Sequence, residues 1–292
     1  MQKVVATGQR SKNAPVAKPA ALRLAEAAPV TAGAESRTVP GDPNFMTSLA
    51  RGLAVIGGFS QQRRCMSIAQ LSQQTGIPRA AVRRCLYTLA KLGYVASEDG
   101  RNYALRPKLL GLGHAYLSST PMVVAAQPYL DRVSEAVHES SSLAVLDGDD
   151  ILYLGRSVSS RIISVTLNVG SRLPAYCTSI GHVLLASLPA ADLETYLDRV
   201  ELRAYSDRTV TSTERLRRIL ADVRESGYAI ADQQMELGVR SIAVPVRNSV
   251  GVVVAGINVI IQTVRGSIRD MKTLYLPHLR SAAQELGAQL VS

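Results

Sequence analysis

Residues Ser67 to Leu92 read SIAQLSQQTGIPRAAVRRCLYTLAKL, and this stretch decides the fold of the N-terminal part of the chain. Ser67 followed by Gln70 is a capping box: the Ser67 hydroxyl accepts from the Gln70 backbone N–H, and the Gln70 side chain reaches back to the Ser67 N–H. Met66 before the cap and Leu71 beyond it have the spacing of a hydrophobic staple. The helix is expected to end near Gln74, because Thr75 is a poor helix former and Gly76 is free to take a positive φ. Pro78 suits the start of a second helix, where its missing N–H would have no partner anyway. Val82, Cys85 or Leu86, Leu89 and Leu92 then recur at helical spacing. Two short helices joined by a small-residue turn read as a helix-turn-helix.

The polar side of that second helix points to a partner. Arg79, Arg83 and Arg84 lie in its first turns beside the small residues Ala80 and Ala81. The N-terminal part of such a helix reaches base edges in the major groove, and arginine can pair with guanine or with phosphate. Arginines alone would describe an ordinary solvated face. Together with the cap, the glycine turn and the proline start they describe a unit that reads double-stranded DNA.

The chain has 292 residues, a formal net charge of +10 and 47% hydrophobic residues. That length allows about two domains, and no apolar run is long enough to cross a bilayer. The charge is concentrated: Arg51, Arg63, Arg64, Arg79, Arg83, Arg84, Lys91 and Arg101 face only Glu98 and Asp99 between Phe45 and Leu105. Counterion release on DNA needs its positive charge there. The three cysteines, Cys65, Cys85 and Cys177, are widely spaced and fit a reduced cytoplasmic protein without a disulfide framework or zinc site. The four histidines lack metal-ligand spacing, so no cofactor or metal is expected. The N-terminus lacks the pattern of a signal peptide.

Taken in order, residues 1–43 read as a disordered arm rich in Ala, Pro and Thr. Thr47 to Phe59 reads as a first helix capped by Thr47 or Ser48, with Leu49, Leu53, Ile56 and Phe59 packing inward. Tyr94–Ala96 and Asn102–Leu105 flank Asp99-Gly100, a hairpin signal. Residues 44–105 are therefore expected to form a winged helix-turn-helix, with Arg101 at the wing tip. Residues 106–120 read as a linker helix from Pro107, and the break at Thr120-Pro121 sets a domain boundary.

Residues 121–292 follow an α/β (α+β) pattern. A helix over Ala125–His138 precedes strands Ser142–Leu146 and Ile151–Arg156, joined through Asp147-Gly148-Asp149-Asp150. A strand is expected over Ile162–Val169, and helices over Cys177–Leu188 and Ala190–Leu197. Thr211 with Glu214 suggests a second capping box, on a helix ending at Gly227. Strands Tyr228–Asp232, Ser241–Arg247 and Val252–Ile261 follow. A helix from Ser267 to Leu290 closes the chain, with Pro277 kinking or dividing it.

GSRLPAYCTSIGHVLLA, Gly170 to Ala186, is the most pocket-like segment of this second domain. Thr178 and Ser179 open an apolar helix whose N-terminus could hold a carboxylate, though an ordinary cap on a core helix reads the same way. CTSIG lacks the first glycine of a nucleophile elbow. Cys177 and His182 are five apart on one expected helix, too far round for a nucleophile–base pair. A hydrolase-like enzyme acting on an organic acid is thus the alternative, not the leading reading, and an indiscriminate DNA-coating protein would leave the second domain idle.

These residues resemble the IclR family of bacterial transcription regulators. TSLARGLAVI, the Ser67–Leu92 stretch through GYV, and PKLLGLGHAYL carry the resemblance in the first half. YCTSIGHVLLA, ELGVRSIAVPVRN and AGINV carry it in the second. GDPNFMTSLARGLAVI, IPRAAVRRCL, LGHAYLSSTP and GSRLPAYCTSIG further resemble the branch controlling the β-ketoadipate pathway and protocatechuate or 4-hydroxybenzoate catabolism. The resemblance implies a homodimer or homotetramer on a DNA operator, with a GAF-like C-terminal domain of antiparallel sheet and flanking helices that binds a small organic acid. It admits RNA polymerase as a further partner.

By that resemblance the effector residues are Tyr176, Thr178, Ser179 and Ile180 at the helix start, Ser241 on a strand and Asn258 on the last strand. Ala231 or its neighbour Asp232 falls where relatives that bind small keto acids carry an acidic residue, and Ser241 falls where they carry cysteine. Arg156 and Arg240 are the candidates for pairing the effector carboxylate, with a surface salt bridge as the competing reading. DNA contacts are expected from Ser67, Arg79, Ala80, Ala81, Arg83, Arg84 and Arg101. Aromatic-acid catabolism under activator control is the expected setting. The residues leave open which of the acids binds, and equally admit repression or another pathway.

Overall fold

The computed structural model describes residues 42–60, 63–159 and 167–290. The expected arm, except its last two residues, and most of the expected Ile162–Val169 strand lie outside them. Leu167 to Val169 are described and form no strand.

The N-terminal domain runs α1 (Thr47–Gly57), β1 (Cys65–Ser67), α2 (Ile68–Thr75), α3 (Arg79–Lys91), β2 (Val95–Ala96) and β3 (Asn102–Leu105). The α2 start is as the sequence implies: Ser67 Oγ accepts from Gln70 N at 3.3 Å and Gln70 Oε1 accepts from Ser67 N at 2.8 Å. Met66 and Leu71 are both buried in the domain core with Val82, Leu86 and Leu89. Gly76 ends α2 at φ +70°, and Pro78 stands one position before α3. The wing holds a third strand that the sequence does not advertise. β1 pairs antiparallel with β3, giving the order β1-β3-β2. Three residues are too few to display a strand period, so partner pairing alone defines it.

Two N-terminal expectations change. No side chain caps α1; Thr47 is already helical and Met46 precedes it. Leu49 and Leu53 are more than half exposed, while Val55 is the buried residue of α1. The helix turns its Leu49–Leu53 edge outward because α3 occupies only one side of it.

Pro107 opens a short 3-10 turn that continues into α4 (Leu110–Ser119), none of whose residues is buried. The chain then bends by 81° at Thr120 into α5 (Pro121–Val137). Pro121 has no N–H to extend α4 and fixes its own φ, so the boundary is a bend between two helices. Among the described residues no single helix is long and apolar enough to cross a membrane.

The C-terminal domain is built on one antiparallel sheet. Its strands are β4 (Ser140–Asp147), β5 (Asp150–Ser157), β6 (Arg172–Pro174), β7 (Ala229–Asp232), β8 (Val239–Arg247) and β9 (Val253–Gln262), in the order β6-β5-β4-β9-β8-β7. Side chains alternate between its faces. One face, with Leu143, Ile242, Val244, Ile257 and Val259, packs on α5 and on α10 (Leu276–Ala288). The other, with Ala144, Tyr153, Ala243 and Ile260, lies under α6 (Ser179–Ala186), α7 (Ala190–Arg199) and α8 (Thr213–Ser226).

Local details shift here too. Ala175–Cys177 is a 3-10 turn, and the helix expected from Cys177 begins only at Ser179, because Thr178 is extended and caps it. The cap of α8 is Ser212, accepting from Arg215 N at 3.3 Å, not Thr211. Two adjacent hydroxyls offer equivalent caps, and Ser212, extended just before the first helical residue, takes the role. The closing helix is divided: α9 (Ile268–Asp270), a π-helical turn over Met271–Tyr275, then α10 with Pro277 in its first turn. The widened turn accommodates the proline ring and its missing N–H.

Candidate DNA interface and effector pocket

The DNA side is set by the phase of α3. Arg79, Ala80, Arg83 and Arg84 are exposed, Ala81 is half-buried and Val82 and Leu86 are inside, so the basic residues leave the core on the outer side of the helix. Arg84 also lines the groove between α3 and α1, away from Arg83. Ser67 spends its hydroxyl lone pair and its N–H on the cap, and so orients α2. Arg101 stands exposed in the wing, whose turn is tied by the Asp99 carboxylate accepting from Arg101 N at 2.8 Å and Asn102 N at 2.7 Å. Those N–H donors hold Asp99 well below the usual carboxylate range.

In the C-terminal domain the strand register brings together residues far apart in sequence. Arg156 on β5 faces Ser142 on β4, Ser142 faces Asn258 on β9, Asn258 faces Ala243 on β8, and Ala243 faces Ala229 on β7. The adjacent row is Ser140, Ile260, Ser241 and Ala231. Both rows face α6. Small side chains dominate them. Gly256 allows Ile180 to rest on β9, since a Cβ there would lie 2.9 Å from Ile180 Cγ2.

Polar atoms gather at this place without protein partners. Ser142 Oγ, Arg156 Nε, Ser179 Oγ and Asn258 Oδ1 are buried and lack a hydrogen bond. Ser179 is the first residue of α6, and Thr178 Oγ1 caps the helix by accepting from Gly181 N at 3.1 Å. Arg156 Nη1 donates to the Leu167 carbonyl at 2.8 Å, and burial pushes its pKa down while the neighbouring Tyr153 opposes this. Tyr153 is buried, with the Asn258 side chain bonded to its phenol; burial raises that phenol well above its ordinary range. Buried polar groups are ordinarily paired, so such a cluster is costly unless something satisfies it. A cation, hydroxyls, an amide and a helix N-terminus suit an organic acid.

Ser142 and Tyr153 were not singled out from sequence. The alternation in SSSLAVL contains the Ser142 signal, but a bulge between Leu143 and Ala144 shifts the register to Tyr153.

The structure separates other candidates from this place. Asp232 and Arg240 lie on the opposite sheet face, because each is one residue out of phase with Ala231 and Ser241. Arg240 Nε bonds Asp232 Oδ1 at 2.6 Å, and Nη1 donates to the Gly266 carbonyl at 2.8 Å. The ion-pair reading describes Arg240, and Ala231 is the residue that faces α6. Tyr176 turns its hydroxyl to the Arg203 backbone, donating to the carbonyl at 2.7 Å and accepting from N–H at 2.9 Å.

Cys177 and His182 do not form a catalytic pair. Cys177 Sγ lies against Met235 Sδ at 3.0 Å, and burial pushes its thiol far up. His182 Nε2 meets the Tyr176 carbonyl at 2.7 Å, and burial lowers its pKa. A thiol that stays protonated is a poor nucleophile. Among the described residues no group of three or more His, Cys, Asp or Glu could hold a metal ion.

Comparison with known proteins agrees with both halves. The profile of the IclR helix-turn-helix domain matches residues 48–99, and that of the bacterial transcriptional regulator IclR C-terminal domain matches residues 114–288. A Pca regulon regulatory protein of Pseudomonas putida is 50% identical over 275 residues, covering 94% of each chain. A crystal structure of a transcriptional regulator from Rhodococcus sp. RHA1 has a TM-score of 0.73 and 41% identity, covering 83% of this chain and 97% of its own. An IclR homologue from Microbacterium hydrocarbonoxydans, solved with 4-hydroxybenzoate, has a TM-score of 0.69 and 26% identity, covering 82% and 97%.

Proposed function

The chain belongs to the IclR family of DNA-binding transcription regulators, and from that premise we propose that it governs aromatic-acid catabolism in the cytoplasm through an organic-acid effector held between α6 and the sheet. It is a regulator and not an enzyme. The observation that carries the effector reading is the buried cluster of Ser142, Arg156, Ser179 and Asn258 with unpaired polar atoms. Arg156 pairs the carboxylate, the α6 N-terminus adds its dipole, and Asn258 and Tyr153 meet the polar remainder of the acid. Ser241 and Ala231 shape the space beside them.

DNA engagement follows from α3 and the wing, with Arg79, Ala80 and Arg83 at the base edges and Arg101 and Ser67 at the backbone, while Ala81 and Arg84 turn to the groove against α1. The operator is met by two copies of the chain. Met46, Leu49, Leu53, Leu92 and Leu112 line an apolar groove of about 530 Å³ between α1, α3 and α4, and a second copy covers it. Effector binding favours one arrangement of the sensor domains, and the bent α4–α5 joint passes that preference to the spacing of the two winged helices.

A thermal-shift screen against β-ketoadipate, protocatechuate and 4-hydroxybenzoate, with succinate and benzoate as controls, tests the reading. A ligand at 100 times its Kd stabilises the folded state by about 2.7 kcal/mol. One acid is expected to raise Tm, and Arg156→Ala or Asn258→Ala to remove the shift. No shift with any of the three overturns the branch assignment. A shift that survives both substitutions overturns the pocket.

A further inference from the structure

Helix α3 presents three faces. Val82, Leu86 and Leu89 are buried in the core. Ala81, Arg84, Cys85, Thr88 and Leu92 line the groove against α1. The third face carries Arg79, Arg83, Tyr87 and Lys91, each exposed and each four residues after the last. Like charges one turn apart are unfavourable on an isolated helix, so a ridge of this kind is relieved by a polyanion.

Tyr87 is the anomaly on that ridge. The residue is 65% exposed, and Lys91 Nζ stands 5.7 Å from its ring centroid. The ammonium over the ring steadies it. Among the described residues the domain core does not use Tyr87, and its ring stands on the same exposed face of α3 as Arg79 and Arg83.

Position along the helix says which part of the DNA it meets. At 1.5 Å per residue, Tyr87 lies about 12 Å along the axis from Arg79, about the width of the major groove. The first turns of a recognition helix address base edges. A side chain two turns further on reaches the sugar-phosphate wall. We propose that Tyr87 donates its phenolic O–H to a backbone phosphate and so fixes the register of α3 in the groove, with Lys91 holding the ring and adding a charged contact beside it. Phosphate contacts of this kind position the protein without reading sequence.

The test uses the full-length chain, a duplex selected by the wild type from a random-sequence pool, and a scrambled duplex of the same composition. Tyr87→Phe keeps the ring and removes the O–H. It is expected to weaken both duplexes by a similar factor, about tenfold, as for a hydrogen bond to a charged group. The salt dependence of log K should keep the wild-type slope, because a phenol carries no charge, whereas Lys91→Ala should reduce the slope by about 1. Tyr87→Phe binding both duplexes like wild type overturns the proposal. So does a loss confined to the selected duplex, which would make Tyr87 a base-reading residue. Equal Tm values for wild type and Tyr87→Phe verify that folding is intact.

Discussion

Asp232 and Arg240 face each other across β7 and β8 with Oδ1 and Nε 2.6 Å apart, on the sheet face opposite Ser241 and Asn258. Their side chains are 28% and 12% exposed. The ion pair therefore belongs to the packing against α9 and the turn before it, where Arg240 also reaches the Gly266 carbonyl, and not to the effector.

Arg240→Ala should then cost stability without touching ligand binding. Removing the guanidinium leaves the Asp232 carboxylate and the Gly266 carbonyl short of a donor, a loss of roughly 1–3 kcal/mol. Thermal unfolding with and without the effector measures both quantities. An unchanged Tm, or a vanished ligand-induced shift, would contradict this placement.

Gly181→Ala should be among the most damaging single-methyl changes in the chain. A Cβ at Gly181 would lie 1.9 Å from the Ala175 carbonyl oxygen, backbone that cannot turn aside. The helix α6 must move off the Ala175–Cys177 turn, at a cost of about 3 kcal/mol or more. Gly113→Ala on α4 has nothing within 4 Å, and should gain up to about 1 kcal/mol from helix propensity. Urea midpoints of the two variants should move in opposite directions.

His182 should make the C-terminal domain acid-sensitive. Burial lowers its pKa, opposed in part by the bond to the Tyr176 carbonyl. Below about pH 6.5 the unfolded chain takes up a proton that the folded chain refuses. Stability is thus lost as pH falls, by up to about 1.4 kcal/mol per pH unit from this group. His182→Gln keeps a donor toward Tyr176 and removes the titration, so its Tm between pH 7.5 and 5.5 should fall less steeply than that of wild type. Parallel profiles would refute the assignment.

Leu53→Asp should separate the two copies. Leu53 is 58% exposed and its own domain core does not use it, so the folded monomer should keep its Tm. A carboxylate in an apolar interface is strongly unfavourable. Light scattering should report a smaller particle, and operator affinity should fall because half-sites are then bound singly. A variant of wild-type mass would place the interface elsewhere.

What the sequence determined by itself is what neighbouring residues decide among themselves. The Ser67–Gln70 box, the Gly76 turn, the Pro78 start and the basic side of α3 involve contacts within a few residues, and all stand where the spacing implies. The order of the C-terminal strands' hairpins was legible for the same reason. The tertiary structure alone decided which sheet face each strand residue occupies. A shift of one position, or one bulge between Leu143 and Ala144, sends Arg240 to the α10 side and Arg156 to the α6 side. It alone decided that Ser142, Arg156 and Asn258 become neighbours, since they come from three strands, on the sheet face that α6 covers. It also left Leu49 and Leu53 outside: an apolar stripe announces that a helix is to be covered, and only the packed chain tells which part of the cover it supplies itself.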